Sequence, residues 1–181
     1  MKLKIGNINA TELAKTYNTP LYVYNKQTIL KRINELKTNF PNTNICYAIK
    51  ANNNQEILKL ISEQNLGADC SNANEIKMAQ KANFKIENSI YTAVNPTNED
   101  LEYALKSKIK INCDDISVFK RLLEIGKPKI ISFRINPGFG KGKFPSIVVG
   151  GHGTKFGMNE DLAREAYRLA KEKGIKRFGI H

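Results

Sequence analysis

Cys46-Tyr47-Ala48-Ile49-Lys50-Ala51-Asn52-Asn53 is the stretch from which the rest of the chain can be read. Residues 44–49 are rich in β-branched and aromatic side chains, and the polar turn Asn52-Asn53-Asn54 follows, the pattern of a buried strand running into a loop. Just beyond, Ile57, Leu58 and Ile61 share one face of an amphipathic helix. The pattern predicts a strand that ends on Lys50. A lysine in that place sits half desolvated at the rim of a sheet, where burial disfavours the ammonium and favours the neutral amine that attacks carbonyls. The plainer alternative is a lysine that closes a strand and extends its ammonium into solvent.

Working outward, strand-like runs end near Lys50, Ser71, Val94, Asp114 and Arg134, at intervals of 21, 23, 20 and 20 residues. Helical stripes lie between them: Ile57-Leu58-Ile61, Ile76-Ala79-Gln80-Ala82, Leu101-Ala104-Leu105 and Val118-Phe119-Leu122-Leu123. Strand and helix alternating at this pace predict right-handed βαβ units and a parallel sheet. So even a repeat, without a Gly-x-Gly-x-x-Gly turn, favours a parallel (β/α)8 TIM-type barrel over a doubly wound sheet. A sixth strand is expected at 177–181, after a helix at 161–173 with Leu162, Ala166, Leu169 and Ala170 on one face. Six strands do not close an eight-stranded barrel of ~250 residues. The expectation is therefore a barrel present only in part, the N-terminal portion of a longer enzyme. A complete smaller domain is the alternative.

Upstream, residues 8–19 read as a short helix with Leu13, Ala14 and Tyr17 on its apolar side. Residues 19–25 alternate like a strand whose start Pro20 fixes. Ile29, Leu30, Ile33, Leu36 and Phe40 form a helical stripe closed by Pro41. The expected division is 1–26, an N-terminal helix and strand, and 27–181, the partial barrel.

The 181 residues, 41% hydrophobic, suffice for one sizeable core. No run of ~18 apolar residues predicts a membrane span, and the basic N-terminus lacks the apolar region and cleavage site of a signal peptide. A cytoplasmic protein without a membrane partner is expected. Three dispersed cysteines (Cys46, Cys70, Cys113) and two histidines (His152, His181) argue against a metal site or disulfide framework. Each cysteine reads as a small core residue in or just after a strand. The formal charge of +12 suggests nucleic acid at first sight. However, the lysines are scattered without an aromatic-interleaved patch, and the Asn and Lys excess reads as solvated helix faces. No nucleic-acid partner is expected.

In a parallel barrel, chemistry gathers at the carboxyl ends of strands. Those positions hold Lys50, Asp69 with Ser71, Asn95, Asp114, Arg134 with Asn136, and His181. Any one can be a capping residue, and Asp69, Ser71 and Asn72 can each cap the following helix. Together, a lysine, a carboxylate and an arginine at successive rim positions suit an anionic cofactor bound through an imine. The run Gly138-Phe139-Gly140-Lys141-Gly142-Lys143 fits neither phosphate-loop nor dinucleotide spacing. With Gly150, Gly151 and Gly153 it reads as a mobile loop beside the active-site mouth.

Tyr47-Ala48-Ile49-Lys50-Ala51-Asn52 resembles the pyridoxal-phosphate lysine segment of the alanine-racemase-like decarboxylases, which include ornithine, arginine and diaminopimelate decarboxylases. In that family this lysine holds the cofactor as a Schiff base. Gly67-Ala68-Asp69-Cys70-Ser71-Asn72-Ala73-Asn74-Glu75-Ile76 is similar to the family's second-strand segment. The aspartate beside the Schiff-base lysine then falls on Asp69, and the helix glutamate on Glu75. Phe133-Arg134-Ile135-Asn136-Pro137-Gly138 resembles the fifth-strand Arg-x-Asn-Pro-Gly segment, which places Arg134 near the cofactor. Thr154-Lys155-Phe156-Gly157 matches the Lys-Phe-Gly word before the fifth helix. Gly179-Ile180-His181 resembles the opening of Gly-x-His-x-His-x-Gly, whose second histidine stacks on the cofactor ring. The resemblance covers about residues 19 to 181.

Within the family, Arg-Ile-Asn-Pro-Gly-Phe-Gly and the later Gly-Gly-His-Gly-Thr-Lys-Phe-Gly look most like the diaminopimelate decarboxylases. The resemblance implies pyridoxal 5'-phosphate as cofactor and decarboxylation of meso-diaminopimelate to L-lysine and carbon dioxide. It gives Lys50 and Asp69 catalytic roles, and Lys50, Asp69, Arg134 and His181 to the cofactor. It further implies a small amino-acid substrate, a homodimer in the complete enzyme, a C-terminal β-domain not present here, and no turnover by these 181 residues alone. The alternatives are decarboxylation of ornithine, arginine or carboxynorspermidine, racemisation, or a non-catalytic pyridoxal-phosphate or RNA-associated protein.

Overall fold

The computed structural model of the chain describes residues 3–141, 150, 151 and 153–181. Gly142, Lys143 and His152, named above, lie outside the described residues. The chain divides into two compact units, Met1–Thr43 and Asn44–His181.

In the first unit, β1 (Lys4–Ile5) and β2 (Ile8–Asn9) form an antiparallel hairpin that the sequence pattern did not announce. α1 (Ala10–Tyr17) follows, and α2 (Lys26–Asn39) is capped by the Asn25 side chain, which accepts the Thr28 N–H. Of the apolar stripe on α2, Ile33 is buried while Leu36 and Phe40 remain exposed. Residues 21–25 do not form the expected strand. Alternating side chains make a strand only when a neighbour accepts its ladder bonds, and no such neighbour is described within this unit.

The second unit is the expected repeat. β3 (Cys46–Ala48), β4 (Gly67–Cys70), β5 (Ile90–Ala93), β6 (Lys110–Cys113), β7 (Ile131–Phe133) and β8 (Phe178–Ile180) form one parallel sheet in unbroken sequence order. A doubly wound sheet reverses its order at a switch point; sequential order is the winding of a barrel, of which six strands are described. The helices α3 (Gln55–Ser62), α4 (Ala73–Lys81), α5 (Asn98–Ser107), α6 (Ile116–Ile125) and α7 (Glu160–Glu172) alternate with them.

Ladder partners share a face of the sheet, so register fixes which residues look outward. Cys70, Tyr91, Ile111 and Ile131 form one outward row, and Ala93, Cys113 and Phe133 the next. Against them pack Ile76 and Ala79 of α4, Leu101 and Ala104 of α5, and Phe119 and Leu122 of α6, all fully buried. Phe133 meets Phe119 and Tyr167 edge-on, with ring centroids 5.0 and 4.8 Å apart, a favoured aromatic geometry. On α7 the buried face is Ala163, Ala166 and Ala170, while Leu162 is exposed. Small residues there let the helix approach the sheet closely.

The asparagine excess has a structural use that the solvated-face reading missed. Asn25, Asn54, Asn72 and Asn159 each stand just before a helix, and each side-chain oxygen accepts a backbone N–H of the first turn. Such caps satisfy donors with no intrahelical partner, at roughly 1 kcal/mol apiece.

Candidate active site

Lys50 lies two residues past its strand rather than in it. β3 ends at Ala48, and Ile49–Ala51 form a single 3-10 turn. Ile49 fills the core and is fully buried, which turns Lys50 the other way; Lys50 is exposed, not half desolvated as expected. The Tyr47 hydroxyl donates to the Asn52 carbonyl at 3.2 Å, and the Asn52 side chain accepts the Asn54 N–H at 3.0 Å. The polar turn is thus tied down on both sides of the lysine.

At the carboxyl ends of the strands, Lys50, Asp69, Ser71, Arg134 and His181 line one cavity of about 440 Å³. Asp69 of β4 and Ser71 just past its end are two apart and so share one face. The same alternation brings in Ile90 and Thr92 from β5 and Cys46 from the start of β3. Val94 reaches the cavity, whereas Asn95, expected at the rim, is not one of its lining residues.

Asp69 does not cap α4. That task falls to Asn72, which accepts the Glu75 N–H at 2.9 Å, while the Glu75 carboxylate accepts from the N–H and hydroxyl of Ser71 at 2.7 and 2.9 Å. Asp69 is left facing the cavity. Burial pushes its carboxyl above the ordinary 3.8, while the positive charges of Lys50 and His181 pull it down and Glu75 adds a smaller upward push. For His181, burial and the Arg134 charge lower the ring below its ordinary 6.5, with Asp69 and Asp114 opposing. The His181 backbone continues the β7–β8 ladder, donating to Phe133 O at 3.0 Å and accepting from Ile135 N at 2.8 Å.

The Arg134 side chain is held from two sides. Its Nη1 donates to Asp114 Oδ1 at 2.9 Å, and its guanidinium carbon lies 4.5 Å from the Phe156 ring centroid. Asp114, only 3% exposed, uses Oδ2 to accept the Gly157 N–H at 3.0 Å. Gly157 has φ +73°, and a Cβ there would stand 3.0 Å from Asn136 N and 3.2 Å from Arg134 O. Only glycine allows this segment to lie so close.

Asn136 turns to its own loop. Its Nδ2 donates to Gly151 O, Thr154 Oγ1 and Phe156 O, and its Oδ1 accepts from the N–H groups of Gly138 and Gly151, all at 2.9 to 3.1 Å. Phe139, Gly140, Lys141 and Gly150 border a second cavity of about 290 Å³ that shares Arg134, Phe156 and His181 with the first.

Sequence reasoning missed Cys46 and Phe156 as wall residues. The signal for Cys46 was the period of two in its strand, which puts it on the face of Ala48, registered opposite Asp69. Phe156 stood in the Lys-Phe-Gly word without a stated role. Cys70 and Cys113 are buried core residues as expected; Cys46 instead faces the cavity, half-buried, with burial raising its thiol. Among the described residues no group of acidic, histidine and cysteine side chains is placed to hold a metal ion, and no helix is long and apolar enough to cross a membrane.

Residues 26–181 match the family model of the pyridoxal-dependent decarboxylase pyridoxal-binding domain. The chain is 37% identical over 178 residues to the diaminopimelate decarboxylase of Thermoplasma acidophilum, covering 98% of this chain and 44% of that protein. It is 37% identical to the diaminopimelate decarboxylase of Methanothermobacter thermautotrophicus, over 99% of this chain and 43% of that one. The solved structure of Helicobacter pylori diaminopimelate decarboxylase complexed with L-lysine superposes with a TM-score of 0.89 at 33% identity, covering 96% of this chain and 46% of that one. The chain spans less than half the length of the curated relatives it matches.

Proposed function

The chain belongs to the pyridoxal-dependent decarboxylases, and from that premise we propose that it forms the cofactor-holding barrel portion of an enzyme that converts meso-diaminopimelate to L-lysine and carbon dioxide. One observation carries the reading: Lys50, Asp69, Arg134 and His181 come from four strand ends and line a single cavity. The choice of substrate is supported by relatives named diaminopimelate decarboxylase over nearly the whole chain, and by L-lysine in the matching Helicobacter pylori structure.

The residues present fit pyridoxal phosphate. The cavity volume lies in the range of roughly 300–1,000 Å³ found for small-molecule sites, with an exposed amine at Lys50 and a fixed cation at Arg134. When bound, pyridoxal phosphate supplies an electron sink for the pair left behind by a departing carboxylate.

The chain's own groups have separable tasks. Lys50 Nζ is the attachment point and, when free, the group able to deliver a proton to the substrate's α-carbon. Asp69, facing the cavity from the strand beside Lys50, balances the Lys50 ammonium and orients the amine. Arg134 presents guanidinium N–H groups to an anionic oxygen. His181 adds a ring wall whose protonation is opposed by burial and by Arg134. In this reading residues 27–181 are the barrel portion and 1–26 its lead-in, and the complete protein is a cytoplasmic homodimer. β3 and β8 are the outer strands of the described sheet, so these 181 residues by themselves are expected to show no turnover.

The test is direct. The full-length protein, loaded with pyridoxal phosphate, is expected to release carbon dioxide from meso-diaminopimelate with equimolar L-lysine, and far less from ornithine or arginine. A preference for ornithine or arginine contradicts the substrate assignment. A protein that binds no pyridoxal phosphate contradicts the whole reading.

A further inference from the structure

We propose that Asp114 is the positioning residue of the cavity cation: it fixes Arg134 and the Phe156-Gly157 backbone together, so that Arg134 meets an anionic oxygen of the bound ligand in a preset orientation. The inference rests on the reading of Arg134 as a ligand-binding group. Asp114 leaves β6 one residue beyond Cys113, on the strand next to the one that delivers Arg134. Its two carboxylate oxygens are divided between two partners: Oδ1 takes Arg134 Nη1 at 2.9 Å and Oδ2 takes the Gly157 N–H at 3.0 Å. The carboxylate is 3% exposed and the arginine side chain 21%, so the pair is shielded while the guanidinium still borders the cavity.

A guanidinium carries five N–H donors in one plane. Asp114 occupies one of them, and Phe156 stacks at 4.5 Å on the face, which sets the plane without consuming donors. No other side-chain hydrogen bond of Arg134 is made among the described residues, so its remaining donors are left for the ligand. The position of Phe156 depends on the same carboxylate, because Gly157 is its neighbour. Removing Asp114 therefore removes both restraints on Arg134 at once. A cation that must find its orientation during each binding event loses part of its interaction to ordering. Asp114 itself does not line the cavity.

The anion Arg134 receives is a phosphate or a carboxylate oxygen, and the measurements separate these. In the full-length protein, Asp114→Asn keeps the volume but offers an amide where one partner needs an acceptor; Asp114→Ala removes both bonds. Each variant is combined with Arg134→Ala. The apoprotein is titrated with pyridoxal phosphate by absorbance, and kcat and KM are measured at saturating cofactor.

The expected result is a loss of about tenfold or more in cofactor affinity or in kcat/KM for Asp114→Asn, and a loss of twofold or less when Arg134 is already alanine, as coupled neighbours behave. Weakened cofactor binding assigns the anion as phosphate; a raised KM at saturating cofactor assigns it as the substrate's carboxylate. Should Asp114→Ala fail to fold, Asp114→Asn carries the cycle. Losses that multiply in the double variant, or an Asp114→Asn with unchanged binding and kinetics, overturn the proposal. An Arg134→Ala with unchanged cofactor binding and kinetics instead removes the reading of Arg134 on which the proposal rests.

Discussion

Lys50 stands two residues beyond the level of Asp69 on the neighbouring strand, because Ala48 of β3 is registered opposite Asp69 of β4. One ladder thus delivers an amine and a carboxylate to the same cavity from segments 19 residues apart in the chain. Sheet register sets Ala48 beside Asp69, and the 3-10 turn Ile49–Ala51 then carries Lys50 into the cavity; register is strongly specified where a face is buried.

Asp69 carries a raised carboxyl, and its sign is informative. A carboxyl raised by burial binds its proton more tightly in the folded chain than in the unfolded one, so its contribution to stability is present below its ordinary 3.8 and is lost as pH rises through the higher folded value. Asp69→Asn is therefore expected to match or exceed the parent in melting temperature at pH 7, with the difference shrinking toward pH 4. The same variant is expected to release pyridoxal phosphate faster. Thermal melts across pH, with cofactor release followed by absorbance, check both. A variant that is less stable at pH 7 and retains the cofactor normally points to a structural role.

Asn72 supplies the contrasting case. Its side chain caps α4 through the Glu75 N–H, so Asn72→Ala is expected to cost about 1 kcal/mol of stability. Cofactor affinity should be unchanged, since Asn72 does not line the cavity. Equal effects of Asn72→Ala and Asp69→Ala on cofactor binding would erase the distinction between cap and site.

Asn136 holds the segments on either side of the glycine-rich run. Asn136→Ala strips an acceptor from the Gly138 and Gly151 N–H groups and a donor from Phe156 O. Gly138 is exposed and its N–H can turn to water, but at buried Gly151 an N–H left unpaired costs about 1–3 kcal/mol. The expected outcome is a stability loss of that size and faster proteolysis at residues 138–141 and 153–156, read by limited digestion. Unchanged digestion means the loop is held by other contacts.

Gly157 is a test of close approach. Gly157→Ala must either leave φ +73° or push its Cβ against Asn136 N and Arg134 O. A residue with a Cβ pays roughly 1–2 kcal/mol for the left-handed conformation alone. Lower stability together with weaker cofactor binding is expected, measured by melting and titration. Loss of stability alone would separate this segment from the cavity.

Much of this was legible in the residues. The 20-residue pulse of apolar runs placed five strands in order, the helix pattern at 161–173 placed a sixth after them, and the carboxyl-end rule placed Lys50, Asp69, Arg134 and His181 at one rim. What escaped were matters of direction and partnership. The apolar pattern that marks Ile49 as buried does not say whether it closes a strand or plugs a turn, and that decides that Lys50 is exposed. Residues 19–25 alternate correctly, but alternation does not supply a neighbour. Asp114 and Asn136 carry polar side chains at the rim like Asp69; only the folded path of residues 154–158 shows that one anchors Arg134 and the other staples a loop. The asparagines that looked like compositional bias became caps once the helix starts were fixed.

Every role proposed for this cavity turns on Lys50 as the residue that holds the cofactor. The most direct measurement is borohydride reduction of the full-length, pyridoxal-phosphate-loaded protein, followed by digestion and mass-spectrometric mapping of the modified lysine. The pyridoxyl label is expected on Lys50, and is expected to be absent in a Lys50→Ala variant that folds normally but has lost turnover by orders of magnitude. A label on another lysine, such as Lys155 or Lys141, or a Lys50→Ala variant with near-parental turnover, would contradict that role for Lys50.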